Sequence, residues 1–368
     1  MQFFDTFLTC YGWEGIALAG AVLAMFGVQL YYYIFVYGRI PGYKNIPLFS
    51  EDYSFVEERL PLILAQNYPD FEVVIVYVGH DSDFYEELVR LKQSFPQIVT
   101  TKIHLDPRFP ISRKMALNVG IKSAHYECMV FTSTDAVPQT DRWLALMAKG
   151  FTRGEIVVGY CGVERRKGFA NYMMRAWRMM HSADWIARAV RRNPYRGTLH
   201  NIGFTKNIYF GSKGFSHLNM NIGEDDLYMQ KVMTHDNVSV ILSPRATLRE
   251  KMWGGMRWWM GQLRYYGSAF AFYPQQVKNY IQWELGSRAL FFITAACALA
   301  VMPFEYKIAA LVLVLVRYLL VAIQVRRIAR RLGEAGMAGR YFVYDLLSPL
   351  WAFLLGVLLL RRDDRVWR

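Results

Sequence analysis

The run "GEDDLYMQKVM" places Glu224, Asp225 and Asp226 at the start of a stretch with helical periodicity. A carboxylate on the first turn of a helix is rigidly held, so one of the three can act as a general base toward a hydroxyl. The same acids also complement the positive end of the helix, a purely structural duty. A further acid, Asp135 in "TSTDAVPQTDRW", stands after the apolar run "ECMVF", with Ser133 two positions before it. Its carboxylate offers a hard oxygen suited to Mg²⁺ or Mn²⁺, or it belongs to a solvated turn. Arg113 and Lys114 open the helix-like run after "FPI" and present two cations, either to an anionic ligand or to solvent. None of the seven histidines pairs at metal-ligand spacing, and Cys10, Cys128, Cys161 and Cys297 show no CxxC spacing. Neither a zinc site nor a disulfide framework is therefore indicated, and the bulk of the chain is expected in a reducing cytoplasm.

The elements that position these residues alternate in type. "FEVVIVYV", "QIVTTKIHL", "ECMVFTS" and "EIVVGYCGV" are short β-branched runs, and between them "FVEERLPLILAQ", "FYEELVRLKQSF" and "SRKMALNVGIKSA" have helical periodicity. This alternation predicts an α/β fold, a mostly parallel sheet with helices on both faces. Ligands of such sheets bind beyond the carboxyl ends of the strands, so Gly79 to Asp83 and Thr132 to Pro138 are expected to line one site.

The composition requires more than this domain. With 368 residues, 54% hydrophobic and 16% aromatic, the chain reads as one globular domain plus membrane segments. "IALAGAVLAMFGVQLYYYIFV", Ile16 to Val36, is uncharged and long enough to span a bilayer, with Tyr31, Tyr32, Tyr33 and Tyr37 suited to the interface. It lacks a basic start and a cleavage site, so it reads as a retained anchor. Asp5 and Glu14 precede it and Arg39 and Lys44 follow, which places the central domain in the cytoplasm. "ALFFITAACALAVMPF" and "IAALVLVLVRYLLVAIQV", separated by "EYK", fit a helical hairpin, and "RRIARRLGEAGMAGR" returns to the cytoplasm. The last apolar run, "YFVYDLLSPLWAFLLGVLLL", either spans or is re-entrant, with Asp345 early in it and a break at Ser348-Pro349. Arg317 lies mid-run, where an unpaired charge is costly, and is expected to pair with Asp345 or to reach a headgroup alone. The net charge of +13 gathers as arginines beside apolar runs with no nucleic-acid motif, which points to a membrane protein and away from nucleic acid.

"LPLILAQNYPDFEVVIVYVGHDSD", "SRKMALNVGIKSA", "FTSTDAVP", "GEDDL" and "MGQLRYYGSAF" follow the order and approximate spacing of the family 2 glycosyltransferases. The chain resembles that family over roughly positions 50 to 275, its membrane-embedded polysaccharide synthases most of all. The resemblance implies the GT-A, nucleotide-diphospho-sugar transferase-like fold, flanked by transmembrane helices. The implied organisation is an anchor over 1–44, a cytoplasmic catalytic domain over 45–249, interfacial amphipathic helices over 250–284 and, over 285–368, the hairpin with a third spanning or re-entrant segment.

The resemblance also assigns roles. Asp225 falls where the family keeps its catalytic base and Asp135 where it keeps the aspartate that holds Mg²⁺ or Mn²⁺; Ser133 replaces the first aspartate of that motif. Arg113 and Lys114 match a basic position near the diphosphate. Tyr77 and Val78 stand where relatives carry an acid, so Asp81 or Asp83 is left to contact the nucleotide, with Glu51 and Asp52 as remnants of the first strand. Gln262, Leu263, Arg264, Tyr265 and Tyr266 retain part of the family's Gln-x-x-Arg-Trp signature at the acceptor channel, and Glu224, His200 and Asn201 are expected near it. The implied activity is inverting transfer from a nucleotide-sugar, first of all a UDP-sugar, to a lipid-linked or polysaccharide acceptor at the cytoplasmic face of the inner membrane. Because the nucleotide-side motifs are altered, the alternative is a catalytically silent subunit that binds a synthase partner in the membrane.

Overall fold

The structure, a computed structural model, describes residues 17–29, 31, 53–79, 82–104, 112–217, 224–252, 254–270, 272–334 and 336–360. Tyr32, Tyr33 and Tyr37 of the expected belt, Arg39, Lys44, Glu51, Asp52, Asp81 and the arginine-rich tail lie outside the described residues. So do the side chains of Glu224, Arg264, Tyr265 and Tyr266. The chain divides into two compact units, one over 40–272 with 330–334 and 363–368, the other over 1–39, 273–329 and 335–362.

In the first unit a π-helical turn, Phe55–Arg59, leads into α2 (Leu60–Leu64), where Pro61 occupies a first-turn position that needs no N–H. β1 (Val73–Val78) is a continuous β-branched run and is buried almost throughout, as a strand covered on both faces must be. It pairs in parallel with β2 (Ile98–Ile103), Val73 opposite Ile98. Between them α3 (Ser82–Ser94) buries Phe84 and Leu88, one turn apart. α4 (Arg113–Ser123) starts at Ser112, whose hydroxyl accepts the Met115 N–H, and buries the stripe Ala116, Leu117, Gly120 and Ile121.

β3 (Cys128–Thr132), β4 (Ala136–Pro138), α5 (Trp143–Ala148), β5 (Ile156–Val158) and β6 (Cys161–Val163) follow. Then come α6 (Phe169–Val190), β7 (Asn201–Thr205), α7 (Lys206–Gly211), α8 (Glu224–Val232), β8 (Val238–Val240), β9 (Leu248–Glu250) and α9 (Met256–Phe270). The strands form an α/β fold whose pairing is more mixed than the alternation of runs implies. β3-β7-β5-β8 makes one sheet and β4-β9-β6 another, and of the six pairings among described residues three are parallel and three antiparallel. "EIVVGYCGV", read as one strand, is divided at Gly159 between two sheets. The backbone passes so close to Asn201 there that a Cβ on Gly159 would lie 2.6 Å from its amide.

In the second unit α10 (Gln275–Val301) and α11 (Phe304–Arg331) are each long and apolar enough to cross a membrane. "EYK", expected as the hairpin turn, is the first turn of α11; the bend is Met302-Pro303, because proline favours a first helical turn. Residues 275–284, expected in an interfacial helix, are the start of α10. α1 (Ala17–Gln29) places Val22 in an apolar cluster with Ala298, Met302 and Ala310. α12 (Tyr341–Leu360) continues through Pro349 instead of breaking. Proline removes the N–H that would serve the carbonyl four residues back, which is that of Asp345, and the Ser348 hydroxyl donates to that carbonyl at 3.1 Å.

Arg317 pairs with Asp345, as its place in the apolar run led us to expect: both are fully buried, Nη1 meets Oδ2, and Nη2 donates to Oδ1 at 3.2 Å. The pair belongs to a larger network. Nη2 of Arg317 also donates to Gln29 at 3.0 Å, and Gln29 donates to Ser287 at 2.7 Å. Arg288 lies 3.5 Å from Asp345, donates to Ser348 at 2.6 Å and pairs with Glu284. Asp345→Asn removes a carboxylate shared by two guanidiniums, and breaking a buried pair from one side costs about 3–5 kcal/mol. Thermal unfolding in detergent should show a clearly lowered midpoint for Asp345→Asn and a smaller loss for the double replacement Arg317→Met with Asp345→Leu. Equal midpoints for the parent and Asp345→Asn would contradict the network.

Candidate active site

The expected residues gather beyond the carboxyl end of β3. β3 and β7 are antiparallel with Thr132 opposite Asn201, so His200 stands across from Ser133. β4 and β9 are antiparallel with Ala136 opposite Glu250, and the Lys251 N–H donates to the Asp135 carbonyl at 3.0 Å. Backbone pairing alone therefore brings Ser133, Asp135, His200 and Glu250 to one edge.

Asp225 and Asp226, adjacent on the first turn of α8, are used differently. Both are buried, each 2% exposed. Asp226 meets Arg196 at 3.2 Å. Arg196 in turn donates to His181 Nε2 at 2.6 Å; burial, then Arg196 and Arg178, hold the His181 pKa well below its ordinary value, so the ring is a neutral acceptor. Asp225 has no cation within ion-pair distance among the described residues and accepts one N–H, that of Leu199, at 3.1 Å. A helix-dipole role alone would use the two acids alike. Instead one is locked and its neighbour retains lone pairs for a ligand.

His200 is the residue nearest in character to Asp225. Burial, with Arg178 and Arg113 adding positive field, lowers its pKa to about 3 against the opposing pull of Asp225. Its ring is thus neutral at physiological pH. Nδ1 is buried and accepts or donates no hydrogen bond among the described residues, the Glu250 carboxylate being 3.8 Å away. Glu250 itself pairs with Arg178 at 2.9 Å, and Arg178 also donates to Gln262 at 3.5 Å. Gln262 of α9 therefore joins the cluster with Arg113, whose charge reaches His200.

Asp135 is 28% exposed in its side chain and lies 3.7 Å from the buried guanidinium of Arg59. Arg59 is fixed by Ser54 at 2.8 Å and the Thr134 carbonyl at 3.2 Å. The Ser133 hydroxyl accepts the Asp135 N–H at 3.3 Å, so it shapes the turn that presents the carboxylate. One exposed carboxylate is a sufficient protein ligand for a Mg²⁺ or Mn²⁺ ion that takes its remaining oxygens from phosphates and water. Among the described residues no three His, Cys, Asp or Glu side chains cluster for a metal.

Three expected residues stand apart. Asn201 does not face an acceptor: it is 1% exposed, its amide donates to the Tyr160 and Ala246 carbonyls at 2.9 and 3.2 Å, and its oxygen accepts Trp143 Nε1 at 3.3 Å. Its polar atoms are spent holding the β5–β6 junction. Lys114 lines a separate cavity between α4 and α7. Asp83 lies with Glu57, Glu86, Glu87 and Arg90 at a surface pocket on α3. Sequence reading missed Arg59, Arg178, Arg196 and Glu250; the available signal was an arginine inside apolar helical runs such as "NYMMRAWRMM", which requires a buried counter-charge.

No family model and no curated protein matches this sequence. Solved structures do. A mannosyltransferase from Pyrobaculum calidifontis in complex with GDP-Man and Mn²⁺ superposes with a TM-score of 0.53 at 17% identity, over 91% of this chain and 99% of that one. TarS of S. aureus, residues 1–349, follows with 0.41 at 13% identity, over 82% of this chain and 90% of that one. The same fragment of TarS in complex with UDP gives 0.40 at 12%. This chain has the α/β, GT-A-like fold found in the P. calidifontis mannosyltransferase.

The depressed His200 sets a pH dependence. Its ordinary pKa is 6.5 and its folded value about 3, so between these the unfolded chain binds a proton that the folded one refuses. Stability should be level above about pH 6.5 and fall as pH drops toward 3. Thermal midpoints across that range should decline less steeply in His200→Gln; identical slopes would contradict a buried neutral ring.

Proposed function

We propose that this protein is a membrane-bound inverting glycosyltransferase. It moves a sugar from a nucleoside-diphosphate donor to a hydroxyl of a lipid-linked or polysaccharide acceptor. The observation that carries this reading is the division of labour on α8, where Asp226 is locked to Arg196 while Asp225, beside a neutral His200, meets no cation among the described residues. Asp225 takes the proton of the acceptor hydroxyl, whose oxygen forms the new bond to the anomeric carbon. The bond from that carbon to the donor diphosphate breaks, and its electron pair leaves on the phosphate oxygen. A single displacement needs one base and no enzyme nucleophile, and it inverts the anomeric carbon. His200 orients the acceptor hydroxyl through its ring nitrogens, and Gln262, held by Arg178, closes the acceptor side.

Asp135, steadied by Arg59, is the group that would hold Mg²⁺ or Mn²⁺. Such an ion, held by the Asp135 carboxylate, would supply charge neutralisation for the departing diphosphate. Arg113 adds positive field on the same side. GDP-Man with Mn²⁺ in the P. calidifontis enzyme supports a nucleotide-sugar and a divalent ion for this chain as well, so UDP- and GDP-sugars are the donors to assay. α10 and α11 support attachment to the membrane, and the arginines at 326, 327, 330 and 331 at the end of α11 favour a cytoplasmic end at the inner membrane. Ser133 in place of a second carboxylate is the feature that favours the alternative, a silent subunit of a synthesis complex.

Asp225→Asn decides between them. A base acts in the transition state, so the variant should lose transfer by about 10²- to 10⁴-fold while its affinity for the donor nucleotide stays within a few-fold. Transfer at the parental rate would remove Asp225 as the base, and the absence of transfer in the parent with every donor would favour the silent subunit.

A further inference from the structure

The run "VERRKGF" forms a surface loop that leads into α6: every residue from Glu164 to Phe169 is exposed, and Phe169, the first of the helix, is 52% exposed. The loop is held from beneath. Asn171, on the first turn of α6, accepts the Arg166 N–H at 2.9 Å and donates to the Glu164 carbonyl at 2.9 Å. Gly168 has φ 119°, a conformation that favours glycine. The Arg166 guanidinium is engaged, pairing with Glu164 at 2.9 Å and donating to the Met252 carbonyl at 3.1 Å. Arg165 and Lys167, on either side of it, meet no acid among the described residues.

The start of α9 lies at the same edge. Met252, which receives Arg166, precedes that helix by four residues, and further along Arg178 of α6 donates to Gln262 of α9 at 3.5 Å. α6 and α9 therefore run in the same sense, with their N-terminal ends together. Residues 254 to 257 are exposed; Met256 is 36% exposed, and Arg257 meets no acid among the described residues. Neither helix carries an acid in its first turn, so two positive dipole ends add to the field of Arg165, Lys167 and Arg257. Glu164, the acid of the loop, is committed to Arg166.

We propose that this edge, the 164–169 loop with the start of α9, binds anionic phospholipid headgroups. The inference rests on the membrane-bound reading and adds to it a second point of attachment, on the first unit, together with a lipid class. Solvated cations alone need no partner. Here they border an exposed phenylalanine and an exposed methionine, and a bilayer surface satisfies both kinds of group, phosphates meeting the cations and the acyl boundary receiving the apolar side chains. The chain also supplies the proximity. Four residues separate Phe270, the last of α9, from Gln275, the first of the apolar helix α10.

The test uses the full chain in two kinds of nanodisc, phosphatidylcholine alone and phosphatidylcholine with about one third phosphatidylglycerol, and follows backbone hydrogen exchange. Exchange over 164–171 and 254–258 should slow by about threefold or more in the anionic discs, and sodium chloride at about 0.5 M should reverse most of that change. Arg165→Glu with Lys167→Glu should abolish the difference between the two discs, while exchange in the neutral discs stays parental. Arg165→Gln with Lys167→Gln, which adds no repulsion, should leave a smaller difference. Equal exchange of the parent in both discs would overturn the proposal, as would a difference that survives in both pairs of variants. The same slowing by inorganic phosphate in neutral discs would overturn it in favour of a small-anion site. Recovery of the chain in the neutral discs reports membrane attachment by itself, so attachment with equal exchange defeats this inference alone, whereas failure to enter either disc defeats the membrane-bound reading and this inference with it.

Discussion

A guanidinium in a protein interior must be met by a carboxylate, and the charges on α6 organise the first unit on that basis. Arg178 and Arg175 are both buried on this helix. Arg178 draws in Glu250 from β9 and fixes Gln262 of α9. Arg175 pairs with Glu334, which also receives Arg249 at 3.2 Å and the Tyr160 hydroxyl at 3.0 Å. These pairs hold β9 and the 330–334 segment on α6, and Arg196 holds Asp226 in the same way, while Asp225 meets no cation among the described residues.

The same rule operates among the apolar helices, with stricter terms. In lipid an unmet charge has no water to turn to. Gln29, Arg288, Arg317, Asp345 and Ser348 form one connected set, in which two arginines share one aspartate. Ser348 serves twice, accepting from Arg288 and restoring a partner to the carbonyl that Pro349 strands. A proline that reads as a break is thereby accommodated within a continuous helix.

Much of this was legible in sequence where a local rule decides the outcome. The β-branched runs at 73–78, 98–103 and 128–132 are strands, the first and third buried along most of their length. The Arg317–Asp345 pair was legible because a charge in an apolar run has few options. The division of "EIVVGYCGV" at Gly159 was not, since it depends on the distant amide of Asn201. Strands as short as β4 and β9 show no periodicity, so the mixed pairing, and with it the approach of Glu250 to His200, was invisible. Arg288 escaped notice because the apolar run was read from the next residue onward. In the site Asp225 and Asp135 stood out by type and spacing, whereas Arg59 and Arg178 find Thr134 and Gln262 across 75 and 84 residues of chain.

The central claim is that the edge formed by Asp135, His200 and Asp225 receives a nucleoside diphosphate. The most direct measurement is the thermal midpoint of the full chain in detergent with UDP or GDP, with and without Mn²⁺, for the parent and for Asp135→Ala. A ligand that binds only the folded state raises the midpoint. The account predicts a rise with one nucleoside diphosphate that grows when Mn²⁺ is present, and the loss of that metal-dependent part in Asp135→Ala. No rise with either nucleotide, or a metal-dependent rise that survives Asp135→Ala, would contradict it.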